Sequence, residues 1–182
     1  GFALFTGKAG CVSCHSVGDE YSLFTDNGMH NTGIGYRASI QREPESRAVT
    51  VARGVVLEVP RSVIDSVSER PHNDLGLYEV TQNPADRWKY RTPTLRNLTL
   101  TAPYMHDGSL GTLREVVEYY NRGGVPNEGL DPRVRPLGLS EDEEKDLVSF
   151  LASLTGSNVD LLVSDAFAAP IGDPASAGMS DR

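Results

Sequence analysis

Apolar side chains recur with helical spacing in two places. Leu113, Val116, Val117 and Tyr120 fall at i, i+3, i+4 and i+7 behind Thr112, which with Glu115 has the spacing of a capping box. This predicts a helix that turns Tyr120 inward and leaves Tyr119 off the buried stripe, ended by the glycines of "NRGG" (121–124). Ser140 and Glu143 repeat the device. Acidic residues fill the first turn, and Leu147, Val148, Leu151 and Leu154 form the buried stripe of a second helix that Gly156 ends. A shorter helix is predicted around 1–9.

Elsewhere the pattern is weaker. Residues 18–48 show little periodicity and read as a loop; "VTVARGVVLEVP" (49–60) alternates loosely, as a short hairpin would; "RSVIDSVSE" (61–69) suits one or two helical turns. Prolines punctuate 71–111 and leave no sustained helix there. Beyond about 165 the chain is Ala, Gly, Pro and Ser with few large apolar groups. The expected organisation is one helical domain over 1–155 and a tail over 156–182, largely disordered.

The chain has 182 residues and a formal net charge of −8, from 25 acidic and 17 basic residues, which argues against nucleic acid as a partner. No apolar run reaches the length of a membrane span. The start lacks the charged region and cleavage site of a secretion signal, and "FALF" (2–5) reads as the middle of an amphipathic helix. The chain is therefore expected to be a mature or truncated piece of something longer.

Both cysteines of the chain lie in "GCVSCH" (10–15). A disulfide between Cys11 and Cys14 would close too small a loop to stabilise much, and a redox dithiol would want a βαβ context. Zinc would need two more ligands from His15, His30, His72 or His106, none at finger spacing. C-x-x-C-H instead meets every requirement of c-type haem: two thiols to add to the porphyrin vinyl groups and an adjacent imidazole for the iron. Haem c is attached outside the cytoplasm, so a periplasmic location follows. For the other side of the iron the residues leave Met29, Met105, His30, His106 and Tyr120 open, each with an ordinary packing role as the alternative.

The run 74–124, with "PTLRN", "TAPY" and "HDG" in that order behind "GCVSCH", resembles the C-terminal haem domain of the bacterial di-haem cytochrome c peroxidase and MauG family. That resemblance implies an all-α, cytochrome c-like fold with long loops and little β structure. It also implies an oxidoreductase in which a second haem, in an N-terminal half absent from this chain, meets hydrogen peroxide. The haem here would store or relay oxidising equivalents for a redox-protein donor or a protein substrate. By the same resemblance His15 is the proximal ligand and Tyr120 the distal one, as in the MauG branch, with Met105 the alternative. Thr101 and Pro103 mark a calcium site, Arg96 pairs with a haem propionate or is an ordinary surface arginine, and His106 lies near the haem edge. Trp88 and Tyr90 suit relay aromatics, with packing as the default reading, and 35–73 departs from the family's shorter loops. A free-standing monohaem electron carrier is the competing reading.

Overall fold

The computed structural model describes residues 1–40, 46–67 and 74–168. Helix α1 (Phe2–Thr6) leads into a single tight turn over Cys11–Ser13. Then follow β1 (Met29–His30), α2 (Ile34–Ile40), the strands β2 (Ser46–Ala52) and β3 (Val55–Pro60), α3 (Arg61–Val67) and α4 (Tyr78–Thr81). Strand β4 (Tyr90–Arg91), α5 (Leu113–Asn121), α6 (Glu141–Ser153) and α7 (Val159–Ala168) complete the order. Helix makes up 39% and strand 14%, so the fold is helix-dominated but not free of strand. β1 pairs antiparallel with β4 through Met29–Arg91 and His30–Tyr90, and β2 with β3 from Ser46–Pro60 to Ala52–Val55 across a bulge.

Helices α5 and α6 start as their sequences require. Both capping boxes close, Thr112 accepting from Glu115 N–H and Ser140 from Glu143 N–H. α5 stops in a Schellman motif: Gly124 N–H reaches Tyr119 O (3.1 Å) and Gly123 N–H reaches Tyr120 O (2.9 Å). Gly124 sits at φ 67°, and a Cβ there would lie 2.5 Å from Thr32 O, so conformation and crowding both demand glycine. Asn121 ties the two helices together, donating to Leu139 O (3.0 Å) and Glu144 (2.7 Å) and accepting from Leu139 N–H (2.9 Å).

Phe5, Phe24, Val117, Leu147, Leu151 and Leu154 form the main core, in which α1 packs on α6 and the Phe5 and Phe24 rings meet edge-on at 5.9 Å. A second cluster gathers Ile34, Leu110 and Tyr119. This corrects the sequence reading of α5: Tyr119 is only 3% exposed, with its hydroxyl donating to Thr32 O (2.8 Å). The loop before α2 covers that flank of α5, so the helix is buried on two sides, and a single-stripe reading accounts for only one. α2 itself lies where the sequence pattern predicts a loop, and α7 is helical within the expected tail. Residues 169–182 and His72 lie outside the described residues.

Candidate haem c site

The attachment turn begins at Gly10, whose φ of 64° reverses the chain after α1. Cys14 N–H (3.2 Å) and His15 N–H (2.9 Å) both donate to Cys11 O, which winds the two thiols and the imidazole onto one short turn. All three line a cavity of about 830 Å³ that Tyr120, Val116 and Val117 of α5 also line. The cysteines are not joined to each other. Burial pushes Cys11 up to about 11 and raises Cys14 as well, so both are neutral thiols in this cavity.

His15 is oriented by a group that no sequence motif names. Its Nδ1 lies 2.7 Å from the carbonyl oxygen of Phe24, and a carbonyl can only accept, so Nδ1 carries the proton and the Nε2 lone pair stays available for a metal. Burial lowers the His15 pKa and keeps the ring neutral. The loop bearing this carbonyl is pinned in turn. Asp26 N–H donates to Cys14 O (2.8 Å), Ser22 hydroxyl donates to Ser16 O (3.0 Å), and Arg96 Nε donates to Ser22 O (2.8 Å) with its guanidinium 5.2 Å above the Phe24 ring. Arg96 thus lines the cavity while bracing the Phe24 loop.

The five distal candidates line one cavity but differ in what holds them. His30 has both nitrogens engaged: Nε2 with Asp26 (2.9 Å), Nδ1 with Asp131 (2.9 Å) and Arg133 (2.7 Å). His106 is paired through Nε2 with Asp74, and its ring stacks on Tyr90 at 3.8 Å between centroids. Tyr120, Met29 and Met105 line the cavity beside these two histidines, and burial, reinforced by Tyr119, holds the Tyr120 phenol well above its ordinary range. Thr101 and Pro103 line the same cavity, around a cis Ala102–Pro103 bond.

Two features escape the sequence reading. Arg133 joins Asp131 (2.7 Å), His30 and the carbonyl of Ser13 (3.1 Å) into a charged cluster against the attachment turn. Trp88 takes φ 58°, and its buried indole Nε1 has no hydrogen-bond partner among the described residues, an omission that costs about 1–3 kcal/mol. Neither has a sequence signature, since both depend on segments far apart in the chain.

An apolar cavity of this size, entered by two neutral thiols and an imidazole with a fixed tautomer, fits a haem c. No family model matches the chain. A cytochrome-c peroxidase of Denitromonas iodatirespirans is 40% identical over 162 residues, covering 89% of this chain and 40% of that protein. The methylamine utilization protein MauG of Methylorubrum extorquens is 35% identical over 156 residues, 85% of this chain and 33% of that one. Among solved structures, a MauG-like protein associated with microbial copper homeostasis superposes with a TM-score of 0.58 at 28% identity, over 86% of this chain and 43% of that chain. The site fits a haem c, and the likenesses are to oxidoreductases of the cytochrome-c peroxidase and MauG kind. The chain is homologous to the C-terminal part of cytochrome-c peroxidases and MauG proteins, spans about 40% of the length of the former, and resembles one haem domain of a di-haem peroxidase.

Proposed function

We propose that this chain is the electron-transfer domain of a di-haem, peroxide-using oxidoreductase, on a cytochrome c-like fold, with haem c attached at Cys11 and Cys14. His15 and Tyr120 would hold its iron. The observation that carries it is the Nδ1-protonated His15, held by Phe24 O beside the two thiols in the cavity that Tyr120 also lines. Bound there, the haem supplies one-electron redox chemistry at iron. The residues do the rest. Cys11 and Cys14 anchor the porphyrin edge, and Phe24 O fixes the imidazole. Tyr120 would supply an anionic oxygen donor, which favours the oxidised metal, where a Met105 thioether would favour the reduced one.

With His15 and Tyr120 both holding the iron, peroxide would find no place here, so oxidising equivalents would come from a second haem domain. The chain alone then does not turn over peroxide. A redox protein or an oxidisable protein substrate is the other partner. Thr101 and Pro103 supply carbonyls to a calcium ion completed by that second domain. Assembly of haem c places the protein in the periplasm. None of the helices among the described residues is long and apolar enough to cross a membrane.

The test is expression with the cytochrome c maturation machinery. A pyridine haemochrome spectrum of thioether-linked haem is expected, with a phenolate-to-iron charge-transfer band that Tyr120→Phe removes. An unchanged spectrum in that variant excludes Tyr120 as the ligand.

A further inference from the structure

Trp88 is strained by its positive φ, and its Nε1 is buried without a partner among the described residues; the haem site explains neither. Such oddities are retained where they serve something. The rings around Trp88 connect the cavity to the outside of the fold. On the inner side, Tyr90 and His106 line the cavity as a stacked pair, 3.8 Å apart and 20° from parallel. The next step is made possible by Gly35, which is buried at the start of α2. A Cβ there would lie 2.9 Å from both Tyr90 Cε2 and Trp88 Cδ1, so the two rings reach the same point only because residue 35 has no side chain. On the outer side, Trp88 meets the half-buried Tyr36 ring edge-on at 5.2 Å, and Tyr36 lies one helical turn from Ile40, which is 55% exposed.

We infer that Trp88 is a redox station between the haem and Tyr36 on α2, the point at which electrons from a one-electron donor enter. This rests on the proposed haem reading. Once the haem held an oxidising equivalent delivered from the peroxide-reacting domain, one electron would pass from Trp88 through Tyr90 and His106 to it, reducing the haem by that one equivalent. The donor refills Trp88 through Tyr36 and leaves oxidised by one equivalent. No proton has to move at Trp88: its Nε1–H faces no acceptor among the described residues, so the one-electron-oxidised indole keeps its proton and stays strongly oxidising. The two electrons that one peroxide accepts, as it becomes two waters with two protons from solvent, need two such passages. Tyr90 differs, since its hydroxyl donates to Asp74 O (3.1 Å) and burial beside Asp74 holds its proton firmly; it serves as a bridge.

The route can be driven backwards in the haem-loaded chain. Both native cysteines are consumed by haem, so Ile40→Cys gives one thiol for a ruthenium–bipyridine photo-oxidant, and flash–quench then withdraws an electron from ferrous haem towards α2. The readout is transient absorbance of haem oxidation. Trp88→Phe is expected to slow it at least tenfold, and Tyr36→Leu severalfold. The same label on Val163→Cys of α7, a position 48% exposed, should give a rate indifferent to Trp88→Phe. An unchanged rate from the α2 label in Trp88→Phe, or equal slowing from both labels, overturns the route. The pyridine haemochrome spectrum, recorded first on each variant, judges the haem reading separately.

Discussion

The cavity-forming half and the hairpin half of the molecule use the same kinds of side chain to opposite ends. Around the cavity, Phe5 is fully buried, Leu147 is 2% and Val117 3% exposed, and each is held by more than one element. In the β2–β3 hairpin Val49, Val51, Val55, Val56 and Leu57 are all exposed, Leu57 to 51%. Every residue of β2 is exposed, yet its pairing with β3 is regular apart from one bulge. Backbone pairing, with a Ser46–Glu58 side-chain hydrogen bond across it, therefore gives the hairpin its shape, whereas converging apolar stripes give the cavity its walls. A two-stranded ribbon without a covered face is marginal in water, and the half that carries the chemistry also carries the stability.

Truncating the core should break the cavity half first. Leu147→Ala removes a side chain from the centre of α6 in a wall of the cavity, and in the haem-loaded chain it should cost about 2–5 kcal/mol, read from denaturant midpoints at constant slope. A loss within the range of a surface substitution would mean that the core is not where the structure puts it.

How much of this contrast the sequence discloses depends on range. Capping boxes, apolar stripes and C-x-x-C-H are written within a few residues, so α5, α6 and the attachment turn are legible from local spacing alone. The hairpin is legible too, with bounds three residues short at its start, because strand pairing across a tight turn is local. The Phe24 carbonyl on His15 is invisible, since every residue has a carbonyl and only the fold decides which one arrives. Tyr119 is misread for the same reason: its burial comes from the segment around Thr32, remote in sequence. His30 reads as an ordinary loop histidine until Asp26, Asp131 and Arg133 close around it.

That charged cluster sharpens the comparison through pH. The hydrogen bonds from Arg133 hold Asp131 far below the usual carboxylate range. At Asp26 burial pushes upward, but the hydrogen bonds from Gly28 N–H, His30 and Thr92 outweigh it and bring the carboxyl to about 2. Both folded pKa values are depressed, so this stabilisation is complete above the unfolded value of about 4 and drains away as pH falls through the folded values. Unfolding midpoints followed from pH 6 to 2 should therefore drop below about pH 4. Asp131→Asn should be less stable than the parent at pH 6 and converge with it in acid. Parallel curves would deny the cluster its part in the acid response.

The hairpin supplies the smallest effect and the sharpest contrast with Leu147. Leu57 pairs with Val49 across the ladder, and both side chains are open to solvent on the described surface. Leu57→Ala in the isolated haem-loaded chain removes the same atoms as Leu147→Ala, yet it should change stability by no more than about 0.5 kcal/mol, measured side by side in the same denaturant series. A cost approaching that of Leu147→Ala would show that in solution the ribbon folds back onto the cavity half. The apolar face of β2 and β3 would then be part of the core, and the division between the two halves would disappear.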